Sequence, residues 1–192
     1  MPIQLISLNA KKCAEKFDEL IPKTAMTHRF VGNTSFRCTA GFPSFRDQGG
    51  NNFYISKRNV DKKDIKPSSF VPVQISGNEN SNICYGGYNK PSVDSPIQRA
   101  LYHYFPKINY MIHGHVYITN APKTKWPVPC GSLQEINEIL EVVDGMKVGY
   151  ALLDSFVINL NGHGFIAGAE KVPELKGILN NMEARPAPEL QN

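Results

Sequence analysis

Three of the five histidines in this 192-residue chain stand where they could bind one metal ion. His113 and His115 flank Gly114 at the end of an apolar run, which is typical of a strand. Because residues i and i+2 of a strand share a face, the two imidazoles are expected on the same side. His163, between two glycines, could supply a third imidazole. Three imidazoles and an open position form the ligand set of a catalytic metal site, not of a closed structural one.

A single strand histidine is more typical of a hydrogen-bonded core residue than of a ligand. Two imidazoles on one strand face need a compensating reason, because burying polar rings costs free energy. The surrounding sequence excludes three well-known site classes. A cupin has a glutamate shortly after the pair, a metallo-β-lactamase-like site needs His-x-His-x-Asp-His, and a TIM-barrel amidohydrolase needs a much longer chain.

Two helices with clear start signals are predicted on either side of the His-x-His pair. Ser95 and the proline after it open the first, and apolar residues at helical spacing continue toward Pro106. Ser132 and Glu135 form the pattern of a capping box, which predicts a second helix with a buried stripe that continues to Val143.

The other predicted elements are short and mixed in type. Strands and helices are interspersed without strict alternation, which favours a layered α/β domain with a mixed or antiparallel sheet. The chain is most simply one domain, which we place at 1–181, followed by a flexible C-terminal tail over 182–192. Strands are predicted near 30–38, 53–56, 70–75, 83–85, 108–115 and 151–160, and further helices near 9–21 and 174–180.

Composition limits the classes of partner and compartment. The net charge is +4, and the basic residues are scattered, so no nucleic-acid partner is expected. Apolar runs are short and the N-terminal residues lack a signal-peptide pattern, so we expect a cytoplasmic protein without a membrane partner. The four cysteines are widely spaced, which predicts free thiols. No neighbour in sequence clearly depresses the pKa of Cys130, so a reactive thiol is not predicted there.

Several short motifs occur in a recognisable order around the histidines. In order and spacing they resemble the class II aldolase/adducin domain over roughly residues 17–170. The motifs are Gly32-Asn33-Thr34-Ser35-Phe36-Arg37, Ile55-Ser56-Lys57, Pro91-Ser92-Val93-Asp94, Tyr110-Met111-Ile112-His113-Gly114-His115 and Asn161-Gly162-His163-Gly164.

This resemblance implies a fold, an assembly and a metal. The fold is a three-layer α/β/α sandwich around a central, mostly antiparallel sheet, and the assembly is a homotetramer with active sites at subunit interfaces. The metal is a divalent ion, usually Zn²⁺, with His113, His115 and His163 as its ligands. It stabilises the enediolate that forms when a carbon–carbon bond of the substrate breaks.

The resemblance also implies a catalytic role for Asp94. The aldolase branch typically has a glutamate at this position, which carries protons and can approach the metal. The epimerase branch has an aspartate, which is one methylene shorter. A carboxylate here could equally stabilise the N-terminus of the helix that follows, and the two roles are compatible.

Four further positions are implied to bind the substrate: Asn33, Ser56, Arg58 and Ser92. Phosphosugar members of the family use an asparagine, a Thr-Gly pair and two consecutive serines to bind the phosphate. Here Arg58-Asn59 replaces Thr-Gly, and Val93 replaces the second serine. Arg58 could clamp a phosphate or a carboxylate, or be an ordinary solvated charge, so recognition of a phosphate stays open.

The resemblance therefore predicts a metal-dependent aldehyde-lyase acting on a small hydroxy-carbonyl compound, either a sugar or a sugar phosphate. A 4-epimerase, a decarboxylase and a hydratase or dehydratase share the metal chemistry and stay open. A non-catalytic adducin-like assembly module is the alternative from another class. The three histidines count against that module. The lack of a tyrosine over 182–192, and of a recognised acid or tyrosine between His115 and His163, counts for it.

Overall fold

The computed structural model describes residues 32–37, 52–60, 66–75, 85 and 88–186. The predicted helix near 9–21 and most of the predicted strand near 83–85 lie outside these ranges. Within the described residues, no helix is long and apolar enough to cross a membrane.

In the described part of the chain, six antiparallel strands form a sheet at the centre of the domain. They are β1 (Asn33–Arg37), β2 (Asn52–Ser56), β3 (Phe70–Gln74), β4 (Tyr110–Gly114), β6 (Ser155–Leu160) and β7 (Gly164–Ala169). Their order across the sheet is β3-β2-β1-β4-β7-β6, and every neighbouring pair is antiparallel. A separate antiparallel pair consists of β5 (Val116–Ile118) and β8 (Met182–Pro186).

Helices cover both faces of the sheet and complete three layers. The α-helices among the described residues are α1 (Ser95–Tyr104), α2 (Gln134–Gly145) and α3 (Val172–Leu179). Leu101 of α1 and Ile139 of α2 are fully buried in one apolar cluster with Met111 of β4. The neighbouring Ile112 faces the other way and belongs to a second cluster with Leu175 of α3. The alternation along β4 thus separates two cores, and the predicted α/β/α sandwich with an antiparallel sheet is confirmed.

The predicted start of the C-terminal tail and the predicted capping box of the second helix need correction. Residues 182–186 form β8 and pair with β5, so this part of the predicted flexible tail belongs to the sheet structure. The second predicted helix begins at Gln134 without a side-chain cap, although the Ser132 hydroxyl accepts a hydrogen bond from the Gln134 N–H at 3.3 Å. Glu135 is not part of a capping box, because its side chain turns into the protein and contacts His163.

Candidate metal centre

Strand β4 delivers His113 into the interior beside β1 and β7. In the strand register, His113 lies opposite Asn33 of β1 and Ile166 of β7. Its Nδ1 donates a hydrogen bond to the Phe165 carbonyl oxygen at 2.8 Å. The ring is thereby fixed with Nε2 on the opposite side, and this buried atom has no hydrogen-bond partner among the described residues. His113 is thus oriented to offer Nε2 as a ligand.

The turn between β6 and β7 brings His163 to the same place. A side chain at Gly164 (φ +150°) would clash with the Gly114 carbonyl oxygen, so glycine permits the close approach of this turn to the end of β4. His163 Nδ1 lies 2.9 Å from Glu135 Oε1. Its buried Nε2 has no hydrogen-bond partner in the part of the chain that the structure describes. The turn and the α2 carboxylate together orient this second ring.

The three histidine rings lie close together, although His115 occupies a bend after β4 and not the strand face that the His-x-His spacing predicts. The ring centroids of His113 and His115 are 5.1 Å apart, and that of His163 lies 4.6 Å and 5.0 Å from them respectively. One nitrogen from each ring lies within 4.8 Å of the other two. A buried ring nitrogen without a partner is costly unless a ligand satisfies it. The three imidazoles therefore fit a divalent metal ion.

The pKa values of His113 and His163 shift in opposite directions, because Glu135 contacts only His163. Burial lowers the pKa of His113 to about 3, so this ring is neutral at physiological pH. Burial also lowers the pKa of His163, but the hydrogen bond and the charge of Glu135 outweigh it, so the net pKa is raised. A carboxylate that accepts a hydrogen bond from one ring nitrogen makes the other nitrogen a more basic metal ligand.

Asp94 lies at the edge of the histidine cluster, where β1, α1 and the loop after β5 meet. Its Oδ2 is 3.9 Å from His113 Nε2. Oδ2 accepts a hydrogen bond from Asn33 Nδ2 at 2.7 Å, and Oδ1 accepts one from Cys130 Sγ at 3.2 Å. Burial raises the pKa of Asp94, but the nearby imidazoles and the Cys130 hydrogen bond favour the carboxylate and bring the pKa below its ordinary value. The side chain makes no capping hydrogen bond to α1, so only its charge can stabilise the N-terminus of that helix.

A buried chain of polar side chains holds Asn33 in the orientation that Asp94 requires. Asn33 Oδ1 accepts a hydrogen bond from Gln98 Nε2, and Gln98 Oε1 accepts one from the Ser35 hydroxyl. Ser35 Oγ lies 2.9 Å from the hydroxyl of Tyr102. Because the Asn33 oxygen is occupied by Gln98, its amide N–H faces the Asp94 carboxylate. The hydrogen bond from Asn33 thus fixes the orientation of the Asp94 carboxylate.

A pocket of about 210 Å³ opens in front of Asp94 and His115. Arg58 and Ser92, two of the predicted substrate-binding residues, are in its lining, whereas Asn33 and Ser56 are not. Ser56 is fully buried, and its hydroxyl accepts a hydrogen bond from the Thr34 N–H at 3.3 Å. Direct contact of Asn33 or Ser56 with a substrate stays a prediction. The lining consists of Gly32, Lys57, Arg58, Asn59, Ser92, Val93, Asp94, His115 and Cys130.

Comparison of the chain with protein families identifies the family to which it belongs. The family described as the class II aldolase and adducin N-terminal domain matches residues 13–184. The chain belongs to the class II aldolase/adducin family. The resemblance inferred from the motifs is therefore confirmed. A comparison with curated proteins gives no match.

Solved structures show the class II aldolase/adducin fold at low sequence identity. An L-fuculose 1-phosphate aldolase is 17% identical with a TM-score of 0.63, covering 90% of this chain and 80% of its own. The L-fuculose-1-phosphate aldolase of Thermus thermophilus is 16% identical with a TM-score of 0.57, covering 91% of each chain. YgbL of Escherichia coli, for which aldolase, epimerase and decarboxylase activities have been suggested, is 13% identical with a TM-score of 0.59, covering 89% and 84%. At these identities the likeness establishes the fold alone.

Sequence reasoning missed two residues at the site of this family member. Glu135 fits the pattern of a helix cap, but it lies four residues before Ile139 on the buried stripe of α2. An acidic residue on an apolar stripe is the signal that could have marked it as an interior partner. Cys130 was not predicted to be reactive, and nothing in its local sequence indicates its contact with Asp94, 36 residues earlier.

Replacing Glu135 with glutamine is expected to weaken divalent metal binding by about 10–100-fold, because His163 loses the negative charge that raises its basicity. The metal affinity can be measured by competition with a chromogenic chelator. Glu141→Gln, an exposed change on the same helix, is the matched control and should leave the affinity unchanged. Equal affinities for the two variants would contradict a role of Glu135 behind the ligand.

Proposed function

We propose that this protein is a metal-dependent aldehyde-lyase that cleaves a carbon–carbon bond in a small hydroxy-carbonyl compound, either a sugar or a sugar phosphate. The convergence of three imidazoles carries the proposal, since two of them have buried Nε2 atoms without a partner in the described part of the chain. The ligands are His113, His115 and His163, and Zn²⁺ suits an imidazole set of this kind. Bound there, the metal supplies Lewis-acid stabilisation of negative charge that develops on the substrate oxygens.

Asp94 is the proton carrier in this proposal. Among the described residues, it is the one acidic side chain in the pocket lining, and its carboxylate is held by hydrogen bonds from Asn33 and Cys130. As a carboxylate it can take a proton from a substrate hydroxyl as the carbon–carbon bond breaks. The resulting acid can return that proton to the carbon of the departing fragment.

The pocket favours a small anionic substrate. Lys57 and Arg58 bring two positive charges to its lining. Arg58 Nε donates to the Pro91 carbonyl oxygen at 3.0 Å, which fixes the side chain. The terminal guanidinium nitrogens are the donors that suit paired contacts with a phosphate or carboxylate.

Arg58→Ala is expected to raise KM for a phosphorylated substrate by about 10–100-fold, because a hydrogen bond to a charged group contributes roughly 1.5–3 kcal/mol. For the substrate without its phosphate, KM should change little. Arg58→Lys keeps the charge but loses paired donation, so it should recover only part of the effect. An equal rise in KM for both substrates would show that Arg58 does not recognise the phosphate.

Retro-aldol cleavage tests the lyase proposal directly. Zn²⁺-loaded protein is incubated with a panel of ketose and aldose phosphates and the free sugars, and the aldehyde product is trapped and quantified. We expect metal-dependent release of aldehyde from at least one member of the panel. Inversion of a carbinol centre without cleavage would instead favour a 4-epimerase, which the aspartate at residue 94 also suits. Loss of carbon dioxide from a keto-acid would favour a decarboxylase.

A non-catalytic assembly module and the assembly state are tested separately. If metal binds stoichiometrically but no substrate of these classes reacts, an adducin-like metal-binding module becomes the better account. We propose a homotetramer, as the family resemblance implies, and sedimentation analysis of the full chain measures it.

A further inference from the structure

Gln98 is fully buried on α1, one helical turn after Asp94. The Gln98 backbone N–H donates to the Asp94 carbonyl oxygen at 3.0 Å, so the two side chains leave the helix on the same side. Asn33 of β1 bridges them, because its Nδ2 donates to Asp94 Oδ2 at 2.7 Å and its Oδ1 accepts from Gln98 Nε2. The residues that line the pocket do not include Gln98, so any influence on a substrate passes through Asp94.

The hydrogen bonds on the other side of Gln98 continue in the same direction. The Ser35 hydroxyl donates to Gln98 Oε1. The Ser35 oxygen is then left to accept a hydrogen bond from the Tyr102 hydroxyl, which lies 2.9 Å away. Each donor in this chain therefore points toward Asp94. Because an amide has its donor and its acceptor at fixed ends, reversal of Gln98 alone would place donor against donor and acceptor against acceptor.

Opposite charges lie at the two ends of this chain and favour its direction. The last hydrogen bond is accepted by the Asp94 carboxylate, which is negative. At the other end, the Arg37 guanidinium lies 4.5 Å from the centroid of the Tyr102 ring, whose face attracts a cation. The donors thus point away from the positive charge and toward the negative one. Hydrogen bonds aligned in this way polarise and strengthen one another.

We propose that Gln98 is a positioning residue that keeps the N–H group of Asn33, and not its oxygen, on the Asp94 carboxylate. This inference rests on the proposed function, in which Asp94 carries the proton. The chain does not conduct that proton, since two amides interrupt it. Its role is to fix one carboxylate oxygen, so that Asp94 keeps the orientation from which it reaches a substrate in the pocket.

Infrared difference spectroscopy tests this contact without a substrate or an activity assay. For the full chain and for each variant, metal-free and Zn²⁺-loaded, subtraction of the spectrum with Asp94→Asn added isolates the stretching bands of the Asp94 carboxylate. Gln98→Met keeps the length of the side chain but removes its amide, so the hydrogen bond on Oδ2 weakens and these bands should shift. Gln74→Met, the same change at the exposed end of β3, is the matched control and should leave the bands in place.

A smaller change covers the case in which Gln98→Met does not fold. Ser35→Ala removes one oxygen from the far side of Gln98 and should shift the carboxylate bands in the same direction by a smaller amount. Unshifted bands in the folded variants would overturn the positioning role and leave the proposed lyase standing. Shifted bands in a wild-type chain that cleaves no substrate would overturn the lyase alone and support the contact.

Kinetic measurements then test whether this position matters for turnover. Gln98→Met should lower kcat by about tenfold, the equivalent of one hydrogen bond, with KM and metal content nearly unchanged. In a chain that already carries Asp94→Asn, the same change should lower kcat by less than about twofold, because residues that act through one another are not additive. An equal loss of kcat in both backgrounds would show that Gln98 acts independently of Asp94 and would overturn the proposal.

Discussion

Replacing His113 and His115 together with alanine is expected to lower kcat/KM for carbon–carbon cleavage by at least about 10³-fold, because several kcal/mol of transition-state stabilisation are lost with the metal. The remaining His163 cannot hold a divalent ion alone. Activity is measured as aldehyde release under saturating Zn²⁺, with circular dichroism to verify folding. His103→Ala, on the exposed side of α1, is the matched control and should retain full activity.

The double variant also separates ligand loss from structural damage. His113 donates to the Phe165 carbonyl oxygen, so its removal disturbs the junction of β4 and β7. His115→Ala alone leaves this hydrogen bond intact and should still weaken metal binding. Cleavage by a well-folded double variant at a rate within about tenfold of the wild-type rate would contradict a metal-dependent lyase.

Asp94→Asn is expected to lower kcat by about 10²–10⁴-fold while the protein keeps its metal, since an amide of the same shape cannot carry a proton. The measurement pairs kcat with metal content for each variant. Asp154→Asn, an exposed change before β6, is the matched control and should behave as the wild type.

The two readouts for Asp94 distinguish its possible roles. If metal content falls together with kcat, Asp94 acts mainly as a ligand, as its 3.9 Å separation from His113 Nε2 would permit. If kcat stays within about tenfold of the wild-type value while metal is retained, Asp94 is not the proton carrier and the mechanism must be revised.

Local patterns predicted the elements that carry the ligands. The proline after Ser95 and the apolar spacing that follows it predicted α1, which begins at Ser95 and ends just before the predicted stop at Pro106. The His-x-His spacing predicted two imidazoles on one strand face. The ring centroids do lie 5.1 Å apart, but β4 ends at Gly114 and His115 lies in the bend that follows it. These features depend on residues close together in the chain, where strand and helix periodicity are informative.

Contacts between distant segments could not be predicted in the same way. The hydrogen bond between Asn33 and Asp94 joins residues 61 positions apart, and it directs the asparagine amide toward the carboxylate. The same limitation hid the contact of Cys130 with Asp94 and that of Glu135 with His163. The pairing of β8 with β5 was missed because a short strand at the end of the domain has no distinctive local pattern.

The metal content of the purified wild-type chain shows whether the three histidines bind a divalent ion. Protein purified without chelators and loaded with Zn²⁺ is desalted and analysed by inductively coupled plasma mass spectrometry, beside the His113→Ala/His115→Ala variant. The three converging imidazoles predict one tightly held divalent ion per wild-type chain and almost none in the variant. A wild-type chain with no stoichiometric divalent metal, or a variant that retains the same amount, would contradict the metal centre and the lyase function that depends on it.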